Sequence, residues 1–431
     1  MRVLALLILF SLSFSLTLEE ARSIALRNHV DRVKSEIDLR MLDQRIREVR
    51  AGLFPSLSFS ARFTRWDPNY ISAFVPENKY FLTLSLNQTV FDRVVWSAIK
   101  VAKGSRELQR LVLEEVRNRV SAEVEKAFWA VLLRREILKE KRESLRYWED
   151  YFRIVEEKFR QGIVPRYEFL RARAQLRQAR ADLIRAESDY RTAVNNLKVL
   201  LGMTGEIHPE GEFRKEDLPV KDPYPLLKNN PTLKVLKKTL QVRRAEVEMR
   251  RAEYFPKLTF FLNYNFENII DFEAGRLKED TRQGYNLGVR LDFLIFDGFK
   301  RSARVMQGRL EALKVKEEIE FLEKKLANDL DSLIARLRSV EEEIKARRDT
   351  LKASEESLKF ATERYREGVG TQVELLEARR SYERAKLSYL ESIFVYNSLV
   401  ADLKAILGFY SLAEDGLRVG SEYLDHEGPL L

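Results

Sequence analysis

The chain repeats itself, and it changes period at the same place each time. Arg50-Ala51, Phe54-Pro55, Leu57 and Phe59 return as Arg251-Ala252, Phe255-Pro256, Leu258 and Phe260. Phe91-Asp92 returns as Phe296-Asp297, and EEKFRQGIVPRYEFLRAR (156–173) as TERYREGVGTQVELLEAR (362–379). Leu197-Lys198 with Leu201-Gly202 returns as Leu403-Lys404 with Leu407-Gly408. The offset drifts only from 201 to 206, so the two halves differ by a few loop residues. A fixed long period of this kind marks a duplicated structural unit.

Each half reads helix, strand, strand, very long helix, turn, helix. The first half predicts helix over 18–50, strands over 55–66 and 79–91, and helices over 93–161 and 166–201. The second predicts helix over 231–254, strands over 257–267 and 283–296, and helices over 299–367 and 371–407. Leu326, Leu330, Leu333, Leu337, Val340 and Ile344 alternate spacings of four and three, the seam of a coiled coil. Glu320 with Lys324, Glu341 with Lys345 and Glu343 with Arg347 supply acid-before-base pairs four apart. At 1.5 Å per residue, a helix near 65 residues is about 100 Å long. That length suits a spacer or a wall.

The strands alternate strictly. Leu258, Phe260, Leu262, Tyr264 and Phe266 share one face, and Thr259, Asn263 and Asn265 the other. Tyr285, Leu287, Val289, Leu291 and Phe293 oppose Asn286, Gly288, Arg290 and Asp292; Tyr80, Leu82, Leu84 and Leu86 oppose Thr83, Ser85 and Asn87. Strands of about ten residues with aromatic ends (Trp66, Tyr80, Tyr264, Tyr285) fit a lipid-facing barrel wall. Four strands cannot close around a pore, and an open edge in lipid leaves backbone groups without partners. Three copies would supply twelve strands.

Met1-Arg2, the apolar run Val3–Leu12 and Ser13-Phe14-Ser15 have the layout of a signal peptide cut near Ser15. No cysteine is present, which removes disulfides, thiolate chemistry and a lipid-modified N-terminal cysteine. His29, His208 and His426 stand apart, with no metal-site spacing. Net charge is +9, but acids and bases alternate along every helix, which argues for a solvated, ion-paired surface and against nucleic acid. With no nucleophile–base pairing and no phosphate loop, an enzyme is not expected. The main rival is a periplasmic adaptor or a structural coiled-coil protein of an export complex. An adaptor would show a Gly-rich lipoyl-like β segment and no lipid-facing strands.

The order of these features resembles that of TolC-type outer-membrane efflux proteins. The likeness begins at LTLEEARSIALRNHV (16–30) and covers nearly the whole chain after the leader. The family's opening helix commonly runs into Asn-Pro. Asn28-His29-Val30 lacks the proline, whereas Asn229-Asn230-Pro231 keeps it. The resemblance implies an α-dominated membrane protein with a β-barrel: a duplicated unit, a long α-helical barrel, and four strands per protomer of a trimeric twelve-stranded barrel. Its parts would be a signal peptide (1–15), a first repeat (16–210), a linker or equatorial segment (211–230), a second repeat (231–407) and a C-terminal equatorial segment (408–431).

The same resemblance implies a passive exit duct of a tripartite efflux pump or type I secretion system, with no cofactor. Its partners would be two further copies, a periplasmic adaptor (membrane fusion protein), an inner-membrane transporter and outer-membrane lipid. Glu374 and Glu377 match acidic positions lining the periplasmic mouth; three apart, they share a helix face. Three copies would stack carboxylate rings, which favour cations. Tyr365 and Glu168 match a pair that holds the mouth shut, although Gly370 stands where some relatives have arginine; Arg366 or Arg166 could substitute. Gly162-Ile163 and Gly368-Val369 match hairpin tips that meet the adaptor. Both glycines would also serve as simple helix stops.

Overall fold

The structure is a computed structural model, and it describes residues 15–70, 72, 74–273 and 276–412. The proposed leader and most of segment 408–431 lie outside the described residues. In chain order the elements are β1 (Ser15–Leu16), α1 (Leu18–Asn28), α2 (Val30–Ala51), β2 (Ser56–Arg65), β3 (Asn78–Phe91), α3 (Arg93–Arg160), α4 (Arg166–Leu201) and β4 (His208–Pro209). A short 3-10 turn (Tyr224–Asn229) leads to α5 (Pro231–Ala252), β5 (Lys257–Glu273), β6 (Arg276–Asp292), α6 (Lys300–Arg366), α7 (Gln372–Ile406) and α8 (Phe409–Leu412).

The first expected helix is in fact two. His29 leaves helical geometry at φ −61°, ψ 130°, and its ring Nδ1 accepts the Asp31 N–H at 3.2 Å, starting α2 afresh. Thr17 and Glu20 form a reciprocal capping box at the head of α1. The short parallel pairing of β1 with β4 was not signalled by any periodicity. Helices α3 and α6, of 68 and 67 residues, match expectation to within a residue or two.

Two compact units divide the chain. One comprises 37–111 and 235–321 and holds a four-stranded antiparallel sheet in the order β2-β3-β5-β6. Its register aligns like residues across all four strands: Leu57, Leu86, Leu262 and Leu287 form one row, and Phe59, Leu84, Tyr264 and Tyr285 the next. On the reverse face Ser58, Ser85, Asn263 and Asn286 line up, then Ser60, Thr83, Asn265 and Gly284. Two of these polar pairs bond directly, Thr83 Oγ1 to Asn265 at 2.9 Å and Asn263 to Asn286 at 2.9 Å. Because side chains alternate with period two, a one-residue slip would exchange the faces, so the rows fix the register.

Strands β5 and β6 are longer than expected, 17 residues each. The apolar alternation stops near Phe266, but backbone pairing continues through Glu267, Lys278, Glu279 and Asp280. Ladder hydrogen bonds do not require apolar side chains, so the hydrophobic pattern does not mark a strand's end.

The other unit comprises, among the described residues, 15–36, 112–234 and 322–412. Ala21 and Ala25 of α1 pack with Val120, Val124 and Leu132 of α3 and Leu197 and Leu201 of α4. The predicted seam is real: Leu330, Leu333, Leu337 and Ile344 of α6 bury against Ile393, Tyr396, Leu399, Val400 and Leu403 of α7. Only one of the three expected surface pairs forms, Glu343 with Arg347. Lys345 pairs with Glu342, and Glu341 reaches Lys215 of the linker instead. Glu320 is taken by Lys316. The linker is a strap. The buried Asn397 amide accepts the Glu216 N–H and donates to the Arg214 carbonyl, both at 2.9 Å.

Candidate functional site: the helical hairpin tips

Both long helices end in the same turn. Gly162 (φ 74°) and Gly368 (φ 78°) take the left-handed conformation that costs a side-chain-bearing residue roughly 1–2 kcal/mol. Ile163 N–H donates to Lys158 C=O and Gly162 N–H to Phe159 C=O; Val369 and Gly368 repeat the bonds to Arg364 and Tyr365. This is the Schellman pattern. Such turns normally pack the residue after the glycine against an apolar residue five back. Here that position is Lys158 or Arg364, and Ile163 and Val369 stand 63% and 66% exposed. Gly370 has a separate reason: a Cβ there would lie 3.0 Å from the Arg364 backbone. A side chain at 370 therefore requires the turn to give by a few tenths of an ångström.

Behind the tips, α3, α4, α6 and α7 share an aromatic core of Trp148, Tyr151, Val155, Leu375 and Leu376, with Tyr147 and Tyr365 at its margin. The Tyr365 ring stands 5.8 Å from that of Tyr151, which stacks at 6.4 Å on Tyr147. Lys158 lies over Tyr365 and Arg379 over Tyr147. Burial pushes the Tyr147 hydroxyl up to about 12 and raises Tyr151 and Tyr365, so all three are neutral at physiological pH. The Tyr151 hydroxyl faces Tyr365 and Gln372 without a hydrogen bond of normal geometry. Sequence reading missed Tyr147, Trp148 and Tyr151. Their spacing of one, three and four is a helix-face signal, but α3 carries many such runs.

Glu168 and Tyr365 are near enough for the carboxylate to raise the phenol, but no hydrogen bond joins them. Glu168 instead receives the Tyr167 hydroxyl at 3.4 Å, and its carbonyl receives the Gln372 amide at 3.5 Å. Glu374 and Glu377 are both exposed on α7. Glu374 closes a capping box with Thr371, and Glu377 lies 3.6 Å from Arg380. The T-x-x-E sequence of that box was legible and had gone unused. Glu168, Tyr365, Glu374 and Glu377 thus lie near the hairpin turns that carry Gly162, Ile163, Gly368 and Val369.

Among the described residues, no group of three or more His, Asp or Glu could hold a metal, and no helix is long and apolar enough to cross a membrane. Leu57, Phe59, Phe63, Tyr285, Leu287, Val289 and Leu291 are each about 60–70% exposed on one face. A sheet with one apolar and one polar face has the residue pattern of a membrane β-barrel wall.

Comparison with known proteins agrees. The chain belongs to the outer membrane efflux protein family, which it matches over residues 21–203 and 223–408. It is 24% identical over 376 residues to the alkaline protease secretion protein AprF of Pseudomonas aeruginosa, covering 82% of this chain and 74% of AprF. It is 22% identical to the outer membrane protein TolC of Escherichia coli, covering 94% and 86% of the two chains. The fold is that of the Campylobacter jejuni CmeC outer membrane channel, with TM-score 0.77, 18% identity and coverage of 95% and 90%. The Neisseria gonorrhoeae MtrE channel in its open state gives TM-score 0.75, 20% identity and coverage of 91% and 88%. The family is one of channels rather than enzymes, and its place is the outer membrane, reaching into the periplasm.

Proposed function

We propose that three copies of this chain form the exit duct of a tripartite efflux pump or type I secretion system. The observation that carries the reading is the four-stranded sheet: one face apolar, the other polar, and, among the described residues, no strand paired to the outer edges of β2 and β6. Lipid does not tolerate free strand edges, and closure by like copies satisfies them. The duct is passive, and cargo arrives from an inner-membrane transporter through a periplasmic adaptor. The relatives' names span both cargo classes, alkaline protease secretion for AprF and antibiotic efflux for ArpC of Pseudomonas putida.

In this reading 1–15 is removed on export, 16–210 and 231–407 are the two repeats, and 211–230 with 408–431 belts the helical wall. Ile163 and Val369 offer the adaptor an apolar knob at each tip. Tyr365, on its aromatic bed, and Glu168 hold the mouth closed. Glu374 and Glu377 ring it with carboxylates that favour cations. Purified protein in planar bilayers tests this. Expected are a threefold assembly by mass and unitary, cation-selective conductance. A monomer without channels ends the proposal.

A further inference from the structure

The sheet-bearing unit carries a second feature that duct function does not require. Between α2 and α3 lies a groove of about 780 Å³, lined by Arg40, Asp43, Arg47, Arg50, Lys103 and Arg106, with the buried Ile46 at its base. Its acids are already engaged: Asp43 bonds Arg106 Nε at 2.5 Å, and Glu107 lies 3.8 Å from the same guanidinium. Among the described residues, Arg47, Arg50 and Lys103 have no such partner. Water and salt screen much of the repulsion among three like charges gathered at one open groove, and a bound anion relieves what remains.

The duplication supplies an internal control. With the offsets that align the two Phe-Pro and Phe-Asp pairs, Arg47 corresponds to Glu248, Arg50 to Arg251, Lys103 to Gly308 and Arg106 to Glu311. The second copy is neutralised within itself, by Arg251–Glu248 at 2.7 Å and Arg250–Glu311 at 3.1 Å. Arg243, Arg301 and Arg304 are paired there as well. Basic character at this junction is therefore not a requirement of the helix–strand turn. It belongs to the first copy.

The groove's height names its ligand. Gly52, at the end of α2, sits against Val95, beside Trp96, which is 58% exposed; Phe54 is 67% exposed just above. Exposed aromatics next to lipid-facing strands mark the headgroup level. At 1.5 Å per residue, Arg50 lies at that level, Arg47 about 5 Å below it and Lys103 about 10 Å below. Long basic side chains extend upward over such distances to reach headgroups. We infer that this groove binds the phosphodiester of an anionic glycerophospholipid of the periplasmic leaflet, with Arg47, Arg50 and Lys103 as its cationic contacts. The guanidiniums would grip phosphate oxygens through paired N–H donors, and Phe54 and Trp96 would meet the acyl chains. The inference rests on the strands standing in the bilayer, and is independent of which pump the channel serves.

The full-length protein, delipidated in nonionic detergent, is titrated with phosphatidylglycerol or phosphatidylcholine, and bound lipids are counted by native mass spectrometry. Phosphatidylglycerol is expected to be retained over phosphatidylcholine. Retention falls roughly a hundredfold in the Arg47→Gln, Arg50→Gln, Lys103→Gln triple variant, each cation near a membrane surface being worth about a factor of five. It is unchanged in a control of equal charge loss, Arg243→Gln, Arg251→Gln, Arg304→Gln. Arg47→Lys with Arg50→Lys, which keeps the charge, retains most of the binding and guards against a folding defect. Equal binding by the groove and control variants overturns the inference. Displacement by millimolar glycerol phosphate also overturns it, making the groove a site for soluble anions. Conductance in neutral bilayers reads channel function separately from either result.

Discussion

Glu374 and Thr371 cap α7 reciprocally: the Glu374 carboxylate accepts the Thr371 N–H at 3.3 Å, and Thr371 Oγ1 accepts the Glu374 N–H at 3.2 Å. The carboxylate proposed to line the mouth is therefore also the cap of the helix that carries it. Removing it by alanine confounds charge with fraying.

Glutamine resolves the two, because it retains the capping interaction without the charge. Glu374→Gln with Glu377→Gln is expected to fold as wild type and to lose cation preference in bilayer recordings. Glu374→Ala should cost about 1 kcal/mol of local stability besides. Reversal potentials unchanged in the glutamine pair would remove both residues from the selectivity ring.

At the strap, Lys404 Nζ serves two carboxylates, Glu125 at 2.9 Å and Glu216 at 2.5 Å, while the Tyr410 hydroxyl donates to Glu125 at 3.0 Å. Burial raises the Glu216 carboxyl above its usual 4.5, opposed by the Lys404 bond and reinforced by Glu125. A raised acid favours folding in its protonated form, so its contribution is present below about pH 4.5 and is lost as pH rises through the shifted value. Wild type should therefore gain stability relative to Glu216→Gln as pH falls from 7 towards 4.5. Melting curves that run parallel across that range would refute the assignment.

Glu140 is 1% exposed and is held by Lys386 Nζ at 2.5 Å and Arg379 at 3.6 Å. Lys386→Met strands part of that charge and should cost about 3–5 kcal/mol, seen as a lower urea midpoint. Adding Glu140→Leu should recover most of the loss. A double variant no better than the single one would show that packing, rather than the buried charge, dominates there.

At the hairpins, Gly162→Ala tests the turn and Ile163→Asp tests the surface. The alanine should destabilise the tip by roughly 1 kcal/mol through its positive φ, with adaptor capture retained. Ile163→Asp with Val369→Asp should leave melting unchanged and weaken pull-down of the cognate adaptor at least tenfold. Capture at wild-type strength would assign these knobs no docking role.

Sequence by itself determined the long helices, the four strands of the main sheet, their order and their duplication. The heptads of α6, the alternation in β5 and β6 and the Phe-Pro boundaries are local patterns, repeated until chance is excluded. The candidate gate residues were legible only through the family's pattern. Tertiary structure decided which charges and rings meet. Glu341 prefers Lys215, 126 residues away, to Lys345 on its own helix; Tyr365 settles against Tyr151; Asn397 pins a strap 181 residues distant. The reason is energetic. An exposed pair four apart on a helix is worth only about 0.3–0.5 kcal/mol, so any better-placed long-range partner displaces it. Nor did periodicity show that Arg47, Arg50 and Lys103 share one groove: two helices joined by a hairpin of strands had first to lie side by side.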